Sequence, residues 1–170
     1  MTPAARTARD GFVIGLIAYC AVAGFYMFFD FLAARGALFT LNLLGRAVFR
    51  GLRDSAVLQL PLAPDRWAMV SYNALHLTVS LGIGLIVAWL AAQAERRPER
   101  ARLAGFVIVT GYVLTIVAVG LLAAPIRALL PWWSIMVANS LAVLLAGWYV
   151  IARHPTVWRR LIPFRSESVV

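Results

Sequence analysis

Two side chains in this sequence carry chemistry that an apolar helix has no routine use for: Asp30, in the run FYMFFDFLAAR, and His76, in SYNALHLTVS. A carboxylate and an imidazole inside a membrane can bind and release protons, and an imidazole can also ligate a haem or chlorophyll-type pigment. Asn73 and Asn139 are the neutral polar residues able to bond to either. Asn73, His76, Ser80 and Gly84 recur at i, i+3, i+7 and i+11, which puts them on one helix face. The candidate intramembrane polar cluster is therefore Asp30, Asn73, His76 and Asn139. An Asp30 to His76 pair supported by the two asparagines would offset the cost of burying each. Each member also has a structural reading. Asp30 lies four residues before Ala34, roughly 6 Å from the end of its apolar run, so it can instead reach interfacial water or pair with Arg35. The asparagines and the histidine can serve as interhelical hydrogen-bonding groups, each contributing well under about 1 kcal/mol.

The elements that must position these residues are four apolar stretches, about 11–34, 67–94, 103–126 and 128–152. A hydrocarbon core of roughly 30 Å needs about 20 apolar helical residues, and all four exceed that, with Asp30 the one formal charge inside any of them. The expected fold is an all-α integral membrane protein: four transmembrane helices in an antiparallel bundle, forming a single membrane domain over residues 1–170, with an amphipathic interfacial helix between the first and second spans. Pro125 and Pro131 bracket a short third connection, which makes spans three and four a hairpin. Trp67, Trp132, Trp133 and Trp158 fall at span ends, where an indole anchors at the headgroup level.

Hydrophobic residues make up 62% of the chain and charged ones 14%, which leaves little for a water-soluble domain. The net charge of +9 comes from sixteen arginines and no lysine. Arginines beside hydrophobic spans are explained by cytoplasmic retention and anionic headgroups, so nucleic acid is not an expected partner. Placing the N-terminus, the loop from Arg96 to Arg102 and the C-terminus in the cytoplasm puts ten arginines inside and six outside, the orientation the positive-inside rule favours. The expected location is a bacterial-type inner membrane with both termini cytoplasmic. Cys20 is the single cysteine, so neither an intrachain disulfide nor a thiolate cluster can form.

Between the first two spans, residues 38–60 read as the interfacial helix. Arg46, Arg50 and Arg53 fall within about 60° on a helical wheel, with Leu41, Leu44, Val48 and Leu52 opposite. This face either lies among lipid headgroups or docks an acidic partner. The tail, residues 153–170, is basic and partly apolar, with Trp158, Leu161, Ile162 and Phe164 beside Arg159, Arg160 and Arg165. Helix packing is expected at Gly11 and Gly15, a GxxxG pair, and at Ser134, Ala138, Ala142 and Ala146, a four-residue repeat on the fourth span.

The sequence has no Gly-rich phosphate loop, HExxH or CxxC, and no nucleophile with a base in a soluble site. The expected function is a non-catalytic accessory or structural subunit of a larger membrane complex, one of respiratory or photosynthetic electron transfer. Its partners are then the lipid bilayer and other membrane subunits. Two alternatives stand beside it: a small proton-coupled carrier or channel using Asp30 and His76, and a haem- or pigment-binding protein through His76. No metal site is expected. The other histidine, His154, lies at the far end of the fourth span, so a haem held by both histidines of one chain is disfavoured.

Overall fold

Thr2 starts the first helix: its Oγ1 accepts from Ala5 N–H at 3.3 Å, and Pro3 follows at the first helical position, where a missing N–H costs nothing. The computed structural model describes residues 2–52 and 61–156. Its regular structure is helical throughout: α1 (Pro3–Leu32), α2 (Phe39–Phe49), α3 (Arg66–Arg96), α4 (Ala101–Leu122) and α5 (Trp132–Arg153), with 3-10 turns at Pro98–Arg100 and Ala124–Ile126. Four of these, α1, α3, α4 and α5, are long and apolar enough to cross a membrane.

Their ends depart from the expected spans for local reasons. The first begins eight residues earlier than Gly11, at Pro3, because the Thr2 cap and Pro3 nucleate helix well before the apolar run; Arg6, Arg9 and Asp10 thereby join it. It stops at Leu32 because Ala34 adopts φ +53° and Gly36 φ +85°. The last begins at Trp132 rather than Ala128, since Pro131 takes an extended conformation immediately before it. The third breaks at Leu122, and Ala124–Ile126 continues as the 3-10 turn that Pro125 enters. Within the described part of the expected 38–60 segment the helix is Phe39–Phe49, and Gly51 at φ +64° follows its end. Residues 53–60, including Arg53, and the tail from residue 157 lie outside the described residues.

The tightest seam joins α1 to α3. A Cβ added to Gly15 would sit 2.6 Å from Leu81 Cα, and one added to Gly11 2.7 Å from Leu85 Cα. Gly84 faces the backbones of Gly11 and Gly15 from the other side. The expected glycine pair is therefore a backbone-to-backbone contact, and Ser80 and Gly84 of the α3 polar face are its counterpart. Helix α5 packs chiefly on α1 and buries Ser134, Ala138 and Ala142, with Ala146 half-buried. Helix α4 stands at the margin, burying Ala101, Ala104 and Gly120 along its length.

The main core sits at the α2 end. Phe39, Leu43, Leu44 and Ala47 of α2 meet Ala123, Ile126, Leu130 and Ile135. Helix α2 thus closes one end of the helix group, and its apolar face is Phe39, Leu43, Leu44 and Ala47; the expected Leu41 and Val48 are half-buried flanks. The wheel centred on the arginines missed this face because Gly45 abuts the Ala68 carbonyl, which turns that side of α2 into α3.

Candidate functional site

Asp30, with 1% of its surface exposed, is saturated with donors. Thr40 N–H donates to Oδ2 at 2.6 Å, while the Thr40 hydroxyl and Arg35 Nη2 donate to Oδ1 at 2.7 Å and 3.1 Å. Thr40 N is one of the orphan donors in the first turn of α2, whose own cap residue, Leu38, has no side-chain oxygen. The carboxylate of α1 supplies that cap from another helix, where the positive end of α2 also favours an anion. Arg35 extends the knot: Nη1 donates to the Leu129 carbonyl at 2.8 Å, and its guanidinium lies 5.0 Å and 4.6 Å from the rings of Phe29 and Phe39. One carboxylate therefore ties α1, α2 and the turn before α5 together. Thr40 carried no separate signal in the sequence, being one hydroxyl in an apolar run.

Asn73 and His76 meet Tyr19 of α1. The Tyr19 hydroxyl donates to Asn73 Oδ1 at 2.8 Å, and its ring centroid lies 5.2 Å from that of His76, with Tyr72 on the histidine's other neighbour position at 6.2 Å. Asn139 turns back on its own helix, donating to the Ile135 carbonyl at 2.8 Å. Among the described residues no hydrogen bond joins any two of Asp30, Asn73, His76 and Asn139. Asn73 and His76 share a neighbour, whereas Asp30 and Asn139 each serve a different partner. Tyr19, the α1 residue beside His76, precedes Asp30 by roughly 16 Å of helix, so the expected four-residue cluster resolves into separate contacts.

A second buried carboxylate lies at the opposite end. Asp10, 3% exposed, accepts from the Tyr149 hydroxyl at 3.0 Å and has Arg9 Nη2 and Arg153 Nη2 at 3.5 Å and 3.7 Å. His154 stands between two carboxylates, with Nδ1 3.0 Å from Glu95 Oε1 and Nε2 4.0 Å from Asp10 Oδ2. Neither nitrogen is aligned for a hydrogen bond. This group joins α1, α3 and α5 and was not legible in the sequence, where Asp10 precedes the apolar run. His76 and His154 are separated by about 28 Å of α3, counted from His76 to Glu95 at 1.5 Å per residue. They cannot bind one iron. Among the described residues no group of three or more His, Cys, Asp and Glu is placed to hold a metal ion.

Arg46 of α2 and Arg50 at its end bond to the segment that precedes α3. Arg46 Nη2 donates to the Ala63 carbonyl at 2.6 Å, and Asn42 clamps the same stretch, donating to Ala63 O and accepting from Asp65 N–H, both at 3.0 Å. Arg50 Nε donates to Asp65 Oδ2 at 2.8 Å and its guanidinium lies 4.7 Å from the Trp67 ring. Asp65 also caps α3 by accepting from Ala68 N–H at 3.0 Å. The Arg50 guanidinium, and then the Ala68 N–H, hold the Asp65 carboxyl below its ordinary value of 3.8. Because folding lowers that pKa, the contribution is complete above about pH 3.8 and is lost as the pH falls through the lower, folded value. Hydrogen exchange in the first turn of α3 is expected to accelerate in that acid window. Asp65→Asn, which keeps a capping oxygen, should remove the acid dependence; an unchanged pH profile in that variant would show that the carboxylate is not its source.

These polar groups are arranged as joints between helices, and no family model, curated protein or solved structure matches this chain.

Proposed function

We propose that the chain inserts as four antiparallel spans in a bacterial-type inner membrane, both termini cytoplasmic, and serves as a non-catalytic subunit of a larger membrane assembly. The observation that carries this reading is α4. Only 6% of its apolar window is buried within the chain, against 17 to 22% for the other three candidate spans. Phe106, Val109, Val113, Leu114 and Leu121 are exposed along it, a surface suited to the helices of another membrane subunit. The use of the polar residues supports the same reading. Asp30 has its acceptors filled by Arg35 and Thr40, and Arg46 and Arg50 give their donors to Ala63 and Asp65. Docking is accordingly assigned to the apolar α4 face rather than to the arginine stripe.

A proton-coupled carrier through Asp30 and His76 is the weaker reading, since no hydrogen bond among the described residues links the two. The test is purification from the native membrane in mild detergent, with a photo-crosslinking residue at Leu114. Stoichiometric membrane chains, crosslinked from Leu114, are the expected result, and visible absorption of the particle reads whether its process is electron transfer. A colourless particle without partners would sink the reading and make proton flux in vesicles the next measurement.

A further inference from the structure

Beyond the Gly11 contact, the first turns of α1 and the last turns of α3 leave a groove of about 370 Å³. Its α3 wall is Leu85, Trp89, Ala92, Gln93 and Arg96, a stripe at i, i+4, i+7, i+8 and i+11; Thr7 faces it from α1. We infer that this groove binds one anionic phospholipid, its phosphate on Arg96 and its acyl chain along Trp89 and Leu85.

The chemistry is graded along the groove. Leu85 and Arg96 are separated by roughly 16 Å of helix, with the amphipathic Trp89 indole between them and the Gln93 amide beside the cation. That sequence of apolar wall, interfacial indole, amide and guanidinium matches acyl chain, glycerol and phosphate in order. A free phosphate would use the guanidinium and leave the apolar half empty. Arg96 is available for it. Among the described residues its side chain makes no ion pair or hydrogen bond, whereas Arg9 and Arg153 lie against Asp10, and the adjacent Glu95 carboxylate lies 3.0 Å from His154. A planar guanidinium with its fork unused is suited to paired bonds with phosphate oxygens. The Gly11 backbone against Leu85 closes the groove at its apolar end, which limits it to one lipid.

This inference rests on the membrane reading above, and the two fail separately. Resistance to alkaline carbonate extraction tests insertion; lipid retention tests the groove. In detergent, the full chain is titrated with phosphatidylglycerol or phosphatidylcholine and followed by native mass spectrometry. The expected result is one retained phosphatidylglycerol, preferred about fivefold over phosphatidylcholine, the factor that corresponds to the ~1 kcal/mol of one arginine at an anionic surface. Arg96→Gln should abolish the preference and Arg100→Gln, an exposed arginine outside the groove, should preserve it. Ala92→Phe, which fills the groove with Arg96 intact, should lower retention of both lipids and carries the test alone if Arg96→Gln misfolds. Equal losses in the two arginine variants, unchanged retention in Ala92→Phe, no preference in the unsubstituted chain, or displacement of the lipid by inorganic phosphate would each overturn the inference.

Discussion

Gly15→Val is expected to separate α1 from α3 and to unfold the bundle in detergent. The added Cβ alone would lie 2.6 Å from both Leu81 Cα and the Ser80 carbonyl oxygen. Those atoms are backbone, so no rotamer change can make room and a whole helix must move. Overpacking a close contact costs about 1 to 3 kcal/mol where side chains can yield, and here the upper end or beyond is expected because they cannot. The same reasoning predicts a sharp contrast within one residue type. Gly24, Gly82, Gly111 and Gly147 have nothing within 4 Å of an added Cβ, so alanine at each should be tolerated and should favour helix by up to about 1 kcal/mol. Denaturation by sodium dodecyl sulfate, followed by circular dichroism, reads both. Should Gly15→Val and Gly24→Ala unfold at the same detergent fraction, the glycine seam would not be what holds α1 to α3.

Asp30→Ala is the second large effect. It leaves the Arg35 guanidinium, whose side chain is 20% exposed, without its carboxylate, and deprives the Thr40 N–H and hydroxyl of their acceptor. Breaking a buried pair by removing one member costs about 3 to 5 kcal/mol; the partial exposure of Arg35 argues for the lower end. The removal of the cap should also fray the first turn of α2, which takes with it the packing of Phe39 and Leu43. Asp30→Asn should be milder, since an amide oxygen still accepts from Thr40. The double variant Asp30→Ala, Arg35→Leu should recover part of the loss, because no unpaired cation remains. A double-mutant cycle on unfolding free energy measures the coupling. Additive losses would show that Arg35 and Asp30 do not act as a pair. Proton flux abolished in vesicles by Asp30→Asn, with stability unchanged, would instead favour the carrier reading.

The two carboxylates explain why the polar residues of this chain were only partly legible before the fold was known. Asp30 and Arg35 are near neighbours in sequence, and their pairing could be written down as one of two options. Thr40 could not, because its role depends on α2 turning back so that its first N–H groups meet the end of α1. Asp10 and Tyr149 are 139 residues apart, and no local pattern connects them. Arg46 and Arg50 looked like a free cationic stripe on a wheel. A wheel treats every face as solvent until a neighbour is placed against it, and here the Ala63 to Asp65 segment is that neighbour.

What the sequence by itself determined is the set of helices long and apolar enough to cross a membrane, and the small residues on which they could meet. Both follow from local quantities: hydropathy summed over about 20 residues, and the small size of the residues Gly11, Gly15, Ser134, Ala138 and Ala142. What only the tertiary structure decided is the partner of each polar group and the exposure of α4. Those depend on helix rotation and on which seams close, and a rotation of one residue step, 100°, moves a side chain from one neighbour to another without altering the apolar pattern. Asp30 meets Thr40 because the turn at Ala34 and Gly36 brings the start of α2 back onto the end of α1, and it misses His76 because the register of α1 on α3 sets Tyr19 beside that histidine.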